Sequence, residues 1–260
     1  VKQLIHACRQ RNIPVVEIQH GAIYDEHPGY HYPSDVHVDL FPDYLLTFGE
    51  YWSTAANIPL SPDRIRPVGF PYLDHMREAV AAIEPTERIL FISQADVGAR
   101  LAQIALALAD DDRVGAEVVY KLHPSEHDGW TDGYPALGGS DVTVIAEAGP
   151  DIYELFASAT AQVGVYSTAM FEGLGFGLQT YIAQLPGSET FADIVEAGYA
   201  HAIEDADDIV QLYGRDRPTA TVTHEFFRPH GIEHLTAEIE QLLDGGATPL
   251  HTSADPGRPH

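Results

Sequence analysis

From Arg88 onward, short apolar runs alternate with amphipathic stretches at a nearly constant spacing, and this rhythm restricts the fold more than any other feature. Residues 89–93, 117–122, 142–146, 162–166, 180–183 and 200–203 read as strands. Residues 97–109, 152–159, 168–175, 189–197 and 206–213 carry the three-and-four spacing of helices. A Gly-rich loop is expected over 129–140. Strand, helix, strand in succession demands a crossover, and crossovers build parallel sheets whose two faces are both covered. About five such repeats make one doubly wound, Rossmann-like domain, so the expected fold class is α/β.

The part before Gly69 is sparser. It offers strands at 13–18, 44–48 and 64–68, a short helix near 50–57, and a long irregular stretch from Gly21 to Pro42. A loop of that length inside a compact domain is usually functional. Gly69-Phe70-Pro71 breaks the pattern before a helix at 72–83, and a last helix is expected over 232–243. The expected division is therefore 1–69, the end of a second α/β domain; 70–244, one complete doubly wound domain; and 245–260, a disordered tail without apolar periodicity. Residues 1–11 read as the middle of an amphipathic helix with no initiator methionine, so the expectation is a chain that lacks its natural beginning.

Composition excludes several functions. Thirty-nine acidic residues face 14 basic ones, a formal charge of −25 over 260 residues, and only Lys2 and Lys121 are lysines. Such a chain lacks the basic surface by which proteins bind nucleic acids or anionic membranes. No run of eighteen apolar residues is present, and the single Cys8 rules out a disulfide framework, which points to the cytoplasm. The acids are scattered and form no acidic tail, which suits a solvated surface in a high-salt cytoplasm better than a cationic partner.

In an open parallel sheet, ligands meet the carboxyl ends of the strands. Four places there carry polar residues. Gln19-His20-Gly21 follows the strand at 13–18; a histidine at a strand end can take a proton near neutral pH, or simply bond to its own turn. Lys121-Leu122-His123-Pro124 puts a scarce lysine and a histidine on one side of a strand end, a pair suited to an anion such as phosphate. Ser167 and Thr168 stand where a strand passes into a helix, a position that serves equally as a cap and as an anion cradle; Glu172 lies about one turn further. Gln94 and Glu147 follow two other strands and are weaker signals. His20, His27, His31 and His37 are spaced by seven, four and six, which matches no closed zinc pattern. No metal or cofactor is expected. Dinucleotide, P-loop and nucleophile-elbow fingerprints are absent.

In this order, Gln19-His20-Gly21, Val68-Gly69-Phe70-Pro71-Tyr72-Leu73-Asp74, Lys121-Leu122-His123-Pro124, Ile152-Tyr153-Glu154-Leu155 and Val165-Tyr166-Ser167-Thr168 with Glu172 resemble the GT-B glycosyltransferases of surface polysaccharide synthesis. The likeness is to the CDP-glycerol glycerophosphotransferase, polysialyltransferase and capsule-synthesis groups, here with a haloarchaeal cast, and covers roughly residues 13–185. The resemblance implies two Rossmann-like domains facing across a cleft, with metal-independent transfer of a sugar or polyol phosphate from a nucleotide-activated donor to a glycan acceptor. It implies that His20 is the general base and that His123, with Lys121, holds the donor phosphate or assists the leaving group. Ser167 and Thr168 would bind the same phosphates, Gln94, Glu147 and Glu172 other parts of the donor, and Gly69 and Pro71 would form the hinge. Most of the acceptor-side domain of that family has no counterpart here, so a missing domain, a partner chain and a peripheral contact with the inner face of the membrane all stay open. Two rivals stand beside this reading: a non-hydrolysing sugar-nucleotide 2-epimerase, and a nucleotide-sugar-binding module without catalysis. A nucleotide that binds the folded chain should raise its melting temperature by mass action, and a thermal-shift series with CMP, CDP, UDP and GDP in high salt identifies which one.

Overall fold

A computed structural model describes residues 2–25, 27–33, 36, 38–146, 149–215 and 220–246. Glu147, His37 and residues 247–260 of the expected tail lie outside them. In chain order the elements are α1 (Lys2–Arg9), β1 (Val16–Ile18), β2 (Tyr44–Thr47), β3 (Ile65–Pro67), α2 (Pro71–Ala79), β4 (Arg88–Ile92), α3 (Gly98–Ala109), β5 (Glu117–Lys121), α4 (Trp130–Gly133) and β6 (Thr143–Ile145). There follow α5 (Ile152–Ser158), β7 (Ala161–Gly164), α6 (Ala169–Gly175), β8 (Gln179–Ala183), α7 (Ala192–Glu196), β9 (His201–Ile203), α8 (Ala206–Leu212), α9 (Ala220–Phe226) and α10 (Gly231–Gln241).

Two compact units result. The first joins residues 1–71 to the segment from Glu225 onward, and the second is Tyr72–His224. This moves the expected end of the second domain from 244 to 224. The reason is local bonding: Trp52 Nε1 donates to the Phe226 carbonyl at 2.6 Å, Arg228 N to the Phe48 carbonyl at 2.8 Å, and Arg66 pairs with Glu238. Phe48 stacks on Phe70 at 4.2 Å and Tyr51 lies 4.4 Å from Phe226. Aromatic pairs of this kind add about 0.5–1.5 kcal/mol each beyond their buried area. None of these long-range partners is visible in hydropathy spacing.

The first unit holds a three-stranded parallel sheet in the order β1-β2-β3, with Val16 opposite Tyr44 and Leu45 opposite Ile65. Its middle strand is buried throughout. Residues 50–57, expected as a helix, contain only a single 3-10 turn at Tyr51–Ser53. Gly69 has φ +98°, and a Cβ there would lie 2.5 Å from the Arg228 carbonyl oxygen, so both backbone conformation and packing demand glycine.

The second unit holds six parallel strands in the order β6-β5-β4-β7-β8-β9. Ile89, Phe91, Val118, Tyr120, Val163 and Tyr181 face one core with Leu101, Ala105 and Leu108 of α3. On the alternate positions Leu90, Val119 and Ile182 are buried as well, and α5 and α6 pack against β4, β7 and β8. The uninterrupted apolar runs of the sequence follow from this double coverage. The loop expected at 129–140 contains the one-turn α4, and α9 was not expected at all, because its Thr-Val-Thr run favours strand by propensity. Among the described residues no helix is long and apolar enough to cross a membrane.

Gly69→Ala is expected to destabilise the first unit by roughly 1–3 kcal/mol for the backbone conformation, with a further cost for the overlap with Arg228. Urea unfolding followed by Trp52 fluorescence in a Trp130→Phe background measures it; a loss below about 1 kcal/mol would show that a Cβ strains neither the backbone conformation nor the contact with Arg228.

Candidate functional site

In the second unit the strand order reverses between β4 and β7, and the crevice beyond the carboxyl ends of those strands is where a doubly wound sheet takes its ligand. Gln94 and Tyr166 lie there. Gln94 Oε1 accepts from Tyr166 N at 3.1 Å, so half of the Gln94 amide is spent on closing the strand ends. Gly187, at φ +98°, leaves no room for a Cβ against the Tyr166 ring, which holds that tyrosine in place.

His123 follows β5 and caps the 3-10 turn Pro124–Glu126. Its side chain is exposed, and its Nδ1 accepts from Ser125 N at 3.2 Å. A neutral histidine whose Nδ1 accepts carries its proton on Nε2, so His123 presents a donor outward. Lys121 precedes it on the strand, half-buried, with Nζ 3.5 Å from the Leu122 carbonyl. Burial pushes the Lys121 ammonium down from its ordinary range, and the Asp151 carboxylate partly restores it.

The turn under His123 rests on Glu126, a residue the sequence reading passed over. Its carboxylate is buried and accepts from His123 N at 2.7 Å, Ser93 Oγ at 3.0 Å and the Tyr134 hydroxyl. The carboxylate and burial push the Tyr134 phenol up to about 12, burial being the larger cause. Charge-assisted bonds contribute about 1.5–3 kcal/mol each, enough for three to offset burial of one carboxylate. The signal was present: His-Pro-Ser-Glu has the spacing of a capping box, in which the fourth residue bonds back to the first.

Ser167 and Thr168 precede α6. Thr168 is the N-cap but makes no side-chain cap, while Ser167 Oγ accepts weakly from Ala169 N at 3.4 Å. Among the described residues the Ser167 and Thr168 amides have no acceptor, so they are available donors. Seven residues give α6 little dipole, so these individual donors matter more than the helix as a whole. Glu172, in the same helix, accepts from the Tyr153 hydroxyl, and Tyr153 meets Tyr72 edge-on at 5.7 Å. Asp151 caps α5 and acts electrostatically on both Lys121 and Glu172, which places these three charges in one neighbourhood.

His20 belongs to the first unit. Its side chain is 75% exposed, and Nδ1 lies 3.2 Å from the Tyr30 hydroxyl. That hydroxyl donates to Glu17 Oε1 at 2.6 Å, so it can only accept from His20 Nδ1–H. In the neutral ring this puts the proton on Nδ1 and leaves Nε2 as the acceptor nitrogen. Glu17 and Tyr30 are therefore partners of His20 that sequence spacing did not reveal. His27, 4.9 Å from Tyr30 between ring centres, is pushed down by burial and by neighbouring His20. Gln19 is buried: its Oε1 accepts from Phe48 N and its Nε2 donates to the Gly21 carbonyl, both at 2.8 Å, which fixes the turn that carries His20. A cavity of 520 Å³ opens beside His20, His27 and Tyr30, walled by Ile5, Val15 and Phe41. Among the described residues no three His, Cys, Asp or Glu side chains are grouped to hold a metal ion.

No family model matches the chain, and no curated protein matches it. Solved structures do. The UDP-GlcNAc 2-epimerase of Methanocaldococcus jannaschii aligns at TM-score 0.56 and 13% identity over 91% of this chain and 72% of that one. The same enzyme in complex with UDP-GlcNAc and UDP aligns at 0.51 and 13% over 77% of this chain, which spans only 61% of that chain's length. S. aureus MnaA, solved with UDP, aligns at 0.56 and 12%, over 95% and 74%. At these identities the likeness is one of fold: α/β, with parallel sheets of the GT-B-like kind.

Burial raises the Glu172 carboxyl, Asp151 adds to the rise, and the Tyr153 hydrogen bond opposes it. The folded state thus holds this proton to a higher pH than the unfolded state, so its contribution to stability falls as pH rises from the ordinary carboxylate range through the raised value. Glu172→Gln keeps an acceptor for Tyr153 and carries no charge. Its melting temperature is expected to exceed that of the parent by a margin that widens between about pH 4 and pH 8. A margin independent of pH would show that the site stabilises the carboxylate.

Proposed function

We propose that the chain acts as a GT-B-type transferase, moving a sugar or polyol phosphate from a nucleotide-activated donor to a hydroxyl of a glycan acceptor without a metal ion. The observation that carries the proposal is the hydrogen bonding of His20 and His123, from which opposite tautomers of the neutral rings follow. Hydrogen bonds give His20 a free Nε2 lone pair and His123 an Nε2–H donor. One side chain is prepared to take a proton and the other to give a hydrogen bond to developing negative charge, which is the division of labour that group transfer needs.

In the proposed step the acceptor oxygen attacks the donor's anomeric carbon or phosphorus while His20 Nε2 takes its proton. The bond to the nucleotide phosphate breaks, and the charge left on that phosphate is met by His123 Nε2–H, the Lys121 ammonium and the Ser167 and Thr168 amides. Gln94, through its unspent Nε2, and Glu172 bind the rest of the donor; Glu147 is assigned there by the sequence resemblance alone. The cavity beside His20 would receive the acceptor, its volume falling within the ~300–1,000 Å³ typical of ligand pockets. Gly69 and Pro71, just ahead of the boundary between the units, are proposed as the hinge. The fold relatives named for a 2-epimerase and solved with UDP support nucleotide-sugar chemistry in general.

His20→Ala is expected to lower transfer by about 10²–10⁴-fold while nucleotide affinity persists. Lys121→Ala and His123→Ala should instead weaken nucleotide binding. Turnover of donor by radiolabel transfer, beside calorimetric titration with the nucleotide, separates these effects. Epimerisation of a free UDP-sugar with no acceptor would overturn the proposal in favour of the 2-epimerase reading. Tight nucleotide binding with no turnover would favour a binding module.

A further inference from the structure

The second unit has another cavity, of 480 Å³, at the opposite edge of its sheet. Thr160 and Leu178, which line it, immediately precede β7 and β8, so it opens at the amino ends of the strands, whereas Gln94, His123 and Ser167 stand at their carboxyl ends. Apolar side chains form part of its walls: Val80, Ile83, Phe156 and Leu178. Among the described residues one cation enters it, the half-buried Arg77 of α2, whose guanidinium lies over the Phe176 ring at 5.7 Å.

Arg77 is poised without an acceptor. Its guanidinium makes no hydrogen bond or ion pair with a described residue, and its electrostatic support comes from Asp74, while burial pushes it down from its ordinary range. Other cations of this acid-rich chain are engaged: Arg88 with Glu117, Arg113 with Asp111 and Asp207, Arg66 with Glu238. A guanidinium has five N–H donors in a fixed fork that matches a carboxylate, and one held over an aromatic face keeps its edge for that partner. Among the described residues Arg77 is the single cation of the lining, so one carboxylate is what its charge neutralises.

We propose that this cavity is a second binding site, for an apolar molecule bearing a single carboxylate, with the carboxylate on Arg77 and the apolar body against Val80, Ile83 and Leu178. It is separate from the strand-end site and does not depend on the transferase reading. Octanoate is the probe, with octanol and octylammonium as charge controls, titrated calorimetrically into the whole chain. Octanoate is expected to bind and the controls to bind at least tenfold more weakly. Arg77→Met, which keeps the bulk and removes the charge, and Ala157→Phe, which fills the cavity from another wall, should each weaken octanoate more than tenfold and leave the binding of UDP unchanged. Circular dichroism checks both folds, and Ala157→Phe decides the matter if Arg77→Met fails to fold. Absence of octanoate binding at millimolar concentration, equal binding by octanol, equal affinity in Ala157→Phe, or displacement of octanoate by UDP would each overturn the proposal.

Discussion

The parallel pairing of β4 with β7 is the constraint on which the second unit depends. Ile89 pairs with Ala161 and Phe91 with Val163, and β5 and β8 continue the sheet on either side. Parallel strands need crossover helices, and the helices seal both faces. Polar side chains are then favoured where a strand ends or where their hydrogen bonds are met inside. Gln179 illustrates the second condition: buried, its Nε2 donates to the Leu212 carbonyl at 3.0 Å and its Oε1 accepts from Gly214 N at 2.9 Å. Gln94, Lys121, His123 and Ser167, at or just beyond strand ends, illustrate the first.

In each unit a buried or half-buried carboxylate organises the hydrogen bonds around the candidate histidine. Glu126 gathers the His123 amide, Ser93 and Tyr134, and so aims His123. Glu17 draws the Tyr30 proton, and so leaves the Tyr30 oxygen to accept from His20. In a chain of net charge −25, negative charge is abundant and local cationic character is scarce. Using carboxylates to set histidine tautomers draws polarity from the abundant charge. Lys121 and the backbone amides of Ser167 and Thr168 remain the sources of positive potential on the donor side of the proposed site.

The acidic composition and the proposed phosphate chemistry are compatible wherever salt is high. A net charge of −25 repels an anion at long range, but the Debye length at 1 M salt is about 3 Å, and short-range donors then decide binding. Hydrogen-bond donors fixed at strand ends are of that kind.

The sequence by itself determined the strands, most of the helices and the parallel class of the second unit, because apolar periodicity is a local property and double coverage writes it plainly into β4, β5, β7 and β8. It also put His20, Lys121, His123 and Ser167 at or just beyond strand ends, because strand ends can be counted. Three things were decided only by the tertiary structure. The segment from Glu225 joined the first unit through the Trp52 and Arg228 hydrogen bonds, whose partners lie more than 150 residues apart. Glu17 and Tyr30 became partners of His20 across an irregular loop with no period to read. The tautomers of His20 and His123 followed from which neighbour donates and which accepts, a matter of ångström-scale geometry that composition and spacing do not encode.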